Sequence, residues 1–132
     1  MSQEERKKRF SGLYSYNILS GLEMEVNVKR ILETSLWRID SGFRVYGPFV
    51  GPYDLEIRLN DKVAYVEVKS SLFPDSLTNH VKRAFKRDHP EPFFVIAVLK
   101  LQGKIYLYPD MNTRMKFDDK NLRKLITKIF FV

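Results

Sequence analysis

Three residues near the middle of the chain could do chemistry together: Asp54, Glu67 and Lys69. They lie in YDLEIRLNDKVAYVEVKSS, residues 53–71, whose apolar alternation is that of two consecutive β-strands. With Asn60-Asp61 as a two-residue turn of the type I′ kind, Leu59 faces Lys62 and Asp54 faces Glu67. Opposite residues of an antiparallel pair share a face, with Cβ atoms about 5 Å apart, and Lys69 shares that face because side chains alternate with period two. Leu55, Ile57, Leu59, Ala64, Val66 and Val68 fall on the other face. Two carboxylates so close repel unless a proton or a cation stands between them. Mg²⁺ suits such a pair, being a hard cation that takes few carboxylates and keeps several waters. Lys69 adds a positive charge that can hold a scissile phosphate or orient and deprotonate a water. Those are the parts of metal-assisted phosphodiester hydrolysis. A solvated strand face with ordinary cross-strand charges is the plain alternative for so short a pattern.

The elements that must position these residues follow from periodicity. Ser20 to Trp37 reads as a helix with a capping box at Ser20 and Glu23. Leu22, Met24, Val26, Val28, Ile31, Leu32 and Leu36 share one arc of it, with Glu25 in the middle, where a carboxylate is costly unless something pairs with it. A strand is predicted at 37–46, then the turn-rich GPFVGP at 47–52, then the hairpin. Pro74, Asp75 and Ser76 open a second helix reaching about residue 88, with Leu77, Val81, Ala84 and Phe85 on one side. FFVIAVLK reads as a buried strand, Gln102-Gly103 as a tight turn and KIYLYP as its hairpin partner. Asp118 and Asp119 lead into a last helix carrying Leu122, Leu125, Ile126, Ile129 and Phe130. The order α, β, β, β, α, β, β, α predicts one α/β domain over residues 1–132, with a mixed five-stranded sheet flanked by helices. Its parts are a basic leader (1–20), a core (21–108) and a C-terminal helix (109–132).

Composition narrows the class. The chain has 132 residues and a net charge of +7, which favours a polyanionic partner such as nucleic acid. It has no Cys, so disulfides and thiolate metal sites are excluded. The longest apolar run, Phe93 to Leu99, is too short to span a membrane, and no apolar stretch follows the basic N-terminal residues as in a signal peptide. An intracellular, cytoplasmic protein without a membrane partner or small-molecule cofactor is the expectation. Lys7, Lys8 and Arg9 in the leader, and Lys82, Arg83, Lys86 and Arg87 on the second helix, are candidate phosphate contacts; a solvated polar face is the alternative for the helix. His80 and His89 are read as surface or helix-end residues, and Trp37, Phe93 and Phe94 as core.

The pattern formed by Asp54 and by Glu67-Val68-Lys69 resembles that of the PD-(D/E)XK nuclease superfamily, whose core is a restriction-endonuclease-like αβββαβ unit; Tyr53 stands where proline is common. Within it the chain is most similar to archaeal Holliday junction resolvases, through GLEMEVNVKRIL: Gly21, Glu25 and Lys29-Arg30-Ile31-Leu32. The resemblance spans about residues 21–108. It implies that Glu25 is a third acid and that Glu25, Asp54, Glu67 and the Val68 carbonyl bind Mg²⁺, with Mn²⁺ as a substitute. It implies that Lys69 assists the water and that Lys29 and Arg44 belong to the DNA surface. Val26 stands where those resolvases usually have Arg, and Arg44 is the nearest substitute for an Arg-Ser pair before the Asp. The implied function is resolution of Holliday junctions or other branched DNA by a homodimer, since two paired cuts call for a two-fold axis. A nuclease for single-stranded or other structured DNA, and a non-catalytic nucleic-acid-binding module, are the alternatives.

Overall fold

A computed structural model describes residues 20–48 and 53–132. Helix α1 (Ser20–Ile39) leads into strands β1 (Arg44–Tyr46), β2 (Leu55–Leu59) and β3 (Lys62–Ser71). Helix α2 (Pro74–Lys86) then crosses to β4 (Phe93–Leu99), and β5 (Lys104–Asp110), β6 (Thr113–Lys116) and α3 (Asp119–Phe130) complete the described chain. The strands form a six-stranded sheet in sequence order. Every pairing is antiparallel except β3 with β4, which need a crossover between them because parallel neighbours cannot be joined by a tight turn. The helix, three antiparallel strands, helix and parallel strand at the front are the restriction-endonuclease-like order αβββαβ. Among the described residues, no helix is long and apolar enough to cross a membrane.

Helices cover both faces of the sheet. Met24, Val28, Leu32 and Leu36, one turn apart along α1, are buried with Leu55, Ile57, Ala64, Val66, Phe94 and Ile96 and with Leu122, Ile126 and Phe130 of α3. On the opposite face Leu77, Val81 and Ala84 of α2 pack on Phe93, Val95, Ala97 and Leu99. All seven β4 residues are therefore buried, as a continuous apolar run predicts for a strand covered on both sides. Truncating such a side chain, Leu32→Ala for instance, costs about 2–5 kcal/mol.

The hairpin pairs as its alternation requires, with Leu59 opposite Lys62, Ile57 opposite Ala64 and Leu55 opposite Val66. Asn60 takes φ 56° and is the one non-glycine with positive φ among the described residues, so the turn keeps the two-residue register without the two positive φ values of type I′. Three expectations need correction. The sheet has six strands rather than five, because residues 111–118 are not simply the approach to a helix. Asp110 turns the chain by accepting from the Asn112 N–H at 2.8 Å and the Thr113 hydroxyl at 2.9 Å, and the short edge strand β6 follows. Secondly, the segment from Trp37 to Ile39 is helical and β1 holds only three residues. The helix is stopped at Asp40, whose Oδ1 accepts from the Gly42 N–H at 2.7 Å. Thirdly, the buried seam of α1 is narrower than predicted. Ile31 is 41% exposed and Trp37 48%, its indole N–H donating to the Phe43 carbonyl at 2.9 Å. The side chain of Leu22 lies outside the described residues.

Two features of this frame matter for what it holds. Strand β3 outruns β2: their ladder ends at Leu55 and Val66, while β3 continues beside β4 as far as Ser71. The chain also passes very close to itself where β2 begins. Gly47, at φ 129°, sits against the Asp54 carbonyl, so that a Cβ there would overlap that oxygen and stand 2.9 Å from Leu55 Cδ2. Gly47→Ala is predicted to cost about 2 kcal/mol in urea unfolding through strain and collision together. Gly103→Ala meets nothing within 4 Å and bears only left-handed strain, so its loss is predicted to be smaller, about 1 kcal/mol.

Candidate active site

The alternation of β3 sends Val66 and Val68 into the core and Glu67 and Lys69 to the α2 face. Glu67 is only 3% exposed, and a buried carboxylate needs partners. It has two: Arg87 Nη2 stands 2.6 Å from one oxygen and Lys69 Nζ 3.4 Å from the other. Arg87 follows the last turn of α2 and caps it, its backbone N–H donating to the Arg83 carbonyl.

Asp54 lies one residue before β2, beside the stretch of β3 that β2 does not reach. Its Oδ2 accepts from the Val68 N–H at 2.7 Å, so a side chain takes over where the ladder stops. Tyr53 packs on Tyr65 with ring centroids 4.8 Å apart, fixing the approach to Asp54. Glu25 comes from α1, across the sheet, and is half-buried. It shares a hydrogen bond with Asp54 and feels the charges of Asp54, Glu67 and Lys69. Its pKa is pushed up from 4.5 to about 8, first by burial, then by the Asp54 hydrogen bond and the charges of the two acids, with Lys69 pulling the other way. At neutral pH Glu25 therefore keeps its proton.

The structure thus brings Glu25, Asp54, Glu67 and Lys69 together, and Val68 joins them through its backbone. Three carboxylates near one another are a hard, oxygen-rich donor set, which fits Mg²⁺ or Mn²⁺ in chemistry. Among the described residues, however, no three acids or histidines stand together in a metal-holding arrangement. Glu67 is paired instead with Arg87 and Lys69.

The other predicted residues are spread out. Lys82, Arg83, Lys86 and Arg87 are all exposed on or just after α2. Lys29 donates to the Gly47 carbonyl at 2.8 Å. Arg44 is on the edge strand β1 and donates to the carbonyls of Ser41 and Phe43, both at 2.9 Å. Lys7, Lys8 and Arg9 lie outside the described residues. Sequence reasoning misses one neighbour of Glu67 and one of Lys69. Arg87 was assigned to DNA and not to Glu67. His80, expected as a surface or helix-end residue, lies close enough to Lys69 to feel its charge, and its Nδ1 is 2.6 Å from Arg83 Nη2. Burial first, then Arg83 and Lys69, hold it below its usual pKa. His89 leaves the helix end to stack on Phe93, centroids 3.9 Å apart.

No known family matches the chain, and no curated protein does. Among solved structures the chain is similar to Hjc of Archaeoglobus fulgidus, a Holliday junction resolvase from an archaeal hyperthermophile, at 18% identity over 79% of this chain and 99% of that one, with a TM-score of 0.38. So distant a likeness carries no argument about the site.

The state of Glu25 has a measurable consequence. In the metal-free protein its folded pKa is raised, so it binds a proton more tightly when folded. That contribution to stability is fully present below pH 4.5 and is lost as pH rises through about 8. With EDTA present, Glu25→Gln is predicted to match wild type in melting temperature near pH 5 and to exceed it by several degrees near pH 9. Equal melting temperatures at both pH values would place Glu25 away from the other acids.

Proposed function

We propose that the protein is a divalent-metal-dependent endonuclease that hydrolyses DNA phosphodiester bonds, acting on four-way junctions or other branched DNA. The observation that carries this reading is the gathering of Glu25, Asp54, Glu67 and Lys69 at the open edge of β3. Binding alone has no use for clustered acids that repel phosphate. In this reading Glu25, Asp54, Glu67 and the Val68 carbonyl would hold Mg²⁺ or Mn²⁺. The bound metal would act as a Lewis acid and lower the pKa of its water. Lys69 orients the attacking water or holds the scissile phosphate. The exposed cations of α2 grip the backbone beside the site, fixing its position without reading sequence. A two-fold homodimer supplies the paired cuts that a four-way junction requires.

Cleavage of four-way junction, flap, single-stranded and linear duplex DNA, with and without Mg²⁺ or Mn²⁺, tests the reading. We expect metal-dependent cutting with branched DNA preferred. Cleavage of none of them would leave a non-catalytic binding module, and a preference for single strands would move the substrate class. Asp54→Asn and Glu67→Gln should each lower cleavage by at least about 100-fold, a loss of some 2.7 kcal/mol in transition-state stabilisation. Both should leave DNA binding intact or tighter, because each removes repulsion from the backbone. Wild-type rates in both variants would remove the acids from the chemistry. Changing Lys7, Lys8 and Arg9 to Ala should weaken all DNAs by a similar factor and reduce the salt slope by up to about 0.9 per lost duplex contact. Loss of junction preference alone would make the leader a structure-reading arm.

A further inference from the structure

Arg87 stands between two assignments. It belongs to the basic row of α2, yet its guanidinium is committed to Glu67 Oε1 at 2.6 Å. The two partners differ sharply in setting, since the Glu67 side chain is 4% exposed and that of Arg87 is 52%. The carboxylate is fixed by the packing of β3, whereas the guanidinium approaches from solvent. Arg87 is anchored at its backbone as the α2 cap, so turning the side chain away needs new torsions but no movement of the fold. Lys69, at 3.4 Å, holds only the other oxygen of Glu67.

We propose that Arg87 is a positioning residue that a divalent cation displaces from Glu67, so that one side chain neutralises the acid in the metal-free protein and engages DNA phosphate after release. This rests on the nuclease reading, with Glu67 as a metal ligand. A dication at Glu67 and a guanidinium at hydrogen-bond distance from the same oxygen repel one another, and the double charge prevails. Released, Arg87 lies beside Lys86 and near Arg83, whose side chains are exposed, and adds to the charge that α2 presents to a phosphate backbone. Metal and DNA then favour each other's binding, and by linkage the coupling is reciprocal. The same exchange accounts for acids that are close together without standing in metal-holding geometry.

Two measurements without cleavage test this. Mn²⁺ binding in the absence of DNA is followed by the paramagnetic resonance of the free ion. Arg87→Gln should bind Mn²⁺ about tenfold more tightly than wild type, since a competing charge is gone. Lys124→Gln, which removes a charge on α3, should match wild type. Unchanged or weaker Mn²⁺ binding in Arg87→Gln, or an equal gain in Lys124→Gln, overturns the proposal. Mn²⁺ binding by no variant, wild type included, overturns the nuclease reading with it.

The second measurement is a double-mutant cycle on four-way junction affinity in EDTA. Glu67→Gln frees Arg87 without metal and should tighten DNA binding several-fold, and most of that gain should vanish when Arg87→Gln is added. A gain that persists in the double variant means Arg87 does not pass to DNA. Should the Arg87 variants fail to fold, the side-chain Nε–H resonance of Arg87 in wild type decides. It should move from its ion-paired position as Mg²⁺ saturates the protein, and an unmoved resonance overturns the exchange.

Discussion

Three carboxylates drawn to one strand edge cannot all be charged without compensation, and the local structure is arranged around that constraint. Each acid is answered differently. Glu25 keeps a proton, Asp54 accepts the Val68 N–H, and Glu67 lies between Arg87 and Lys69. These answers come from different elements. Helix α1 brings Glu25 from one face, the short β2 leaves the edge of β3 open to Asp54, and α2 returns Arg87 from the other face. Had β2 run as far as β3, a backbone carbonyl would take the place of the Asp54 carboxylate at the Val68 N–H.

Such a cluster weighs against stability in the metal-free protein, and the surrounding packing offsets it. Strand β4 is buried along its whole length, and Met24, Val28, Leu32 and Leu36, one turn apart, seal α1 against the sheet. The site therefore sits at the edge of a well-packed core. Lys29 and Gly47 belong to this support, since the ammonium holds the Gly47 carbonyl and the glycine lets β1 and the start of β2 close up around Asp54. The extra positive charge of the chain gathers in part on α2, next to the acids, so the face that holds Glu67 is also the face with exposed cations.

Much of this was legible from residue types. Period-two alternation separated Glu67 and Lys69 from Val66 and Val68, and the Asn60-Asp61 turn set the register that brings Asp54 to them. The buried run of β4 and the faces of α2 and α3 were equally plain. What escaped had weak local signals. Strand β6, TRMK, has three exposed residues and one partly buried Met115, so no alternation betrays it. Trp37 continues the helical period but points past the sheet, with its indole satisfied by the Phe43 carbonyl. Arg87 needs arithmetic across elements. Thirteen helical residues extend about 20 Å, which is about six strand residues. Counting six residues back along β3 from Ser71 reaches Tyr65, two positions from Glu67 in sequence and within the span of an arginine side chain. Glu25 could be placed in the apolar arc, but its proton depends on Asp54 and Glu67 coming from distant parts of the chain.

The claim that these acids form one site awaiting a divalent cation is tested most directly by calorimetric titration of Mn²⁺ in buffers of different ionisation enthalpy. Binding should release about one proton at pH 6.5, where Glu25 is still protonated, and close to none at pH 9.5. Glu25→Gln should bind with no such release at either pH. Proton release that is absent in wild type, or that survives unchanged in Glu25→Gln, would contradict a shared site.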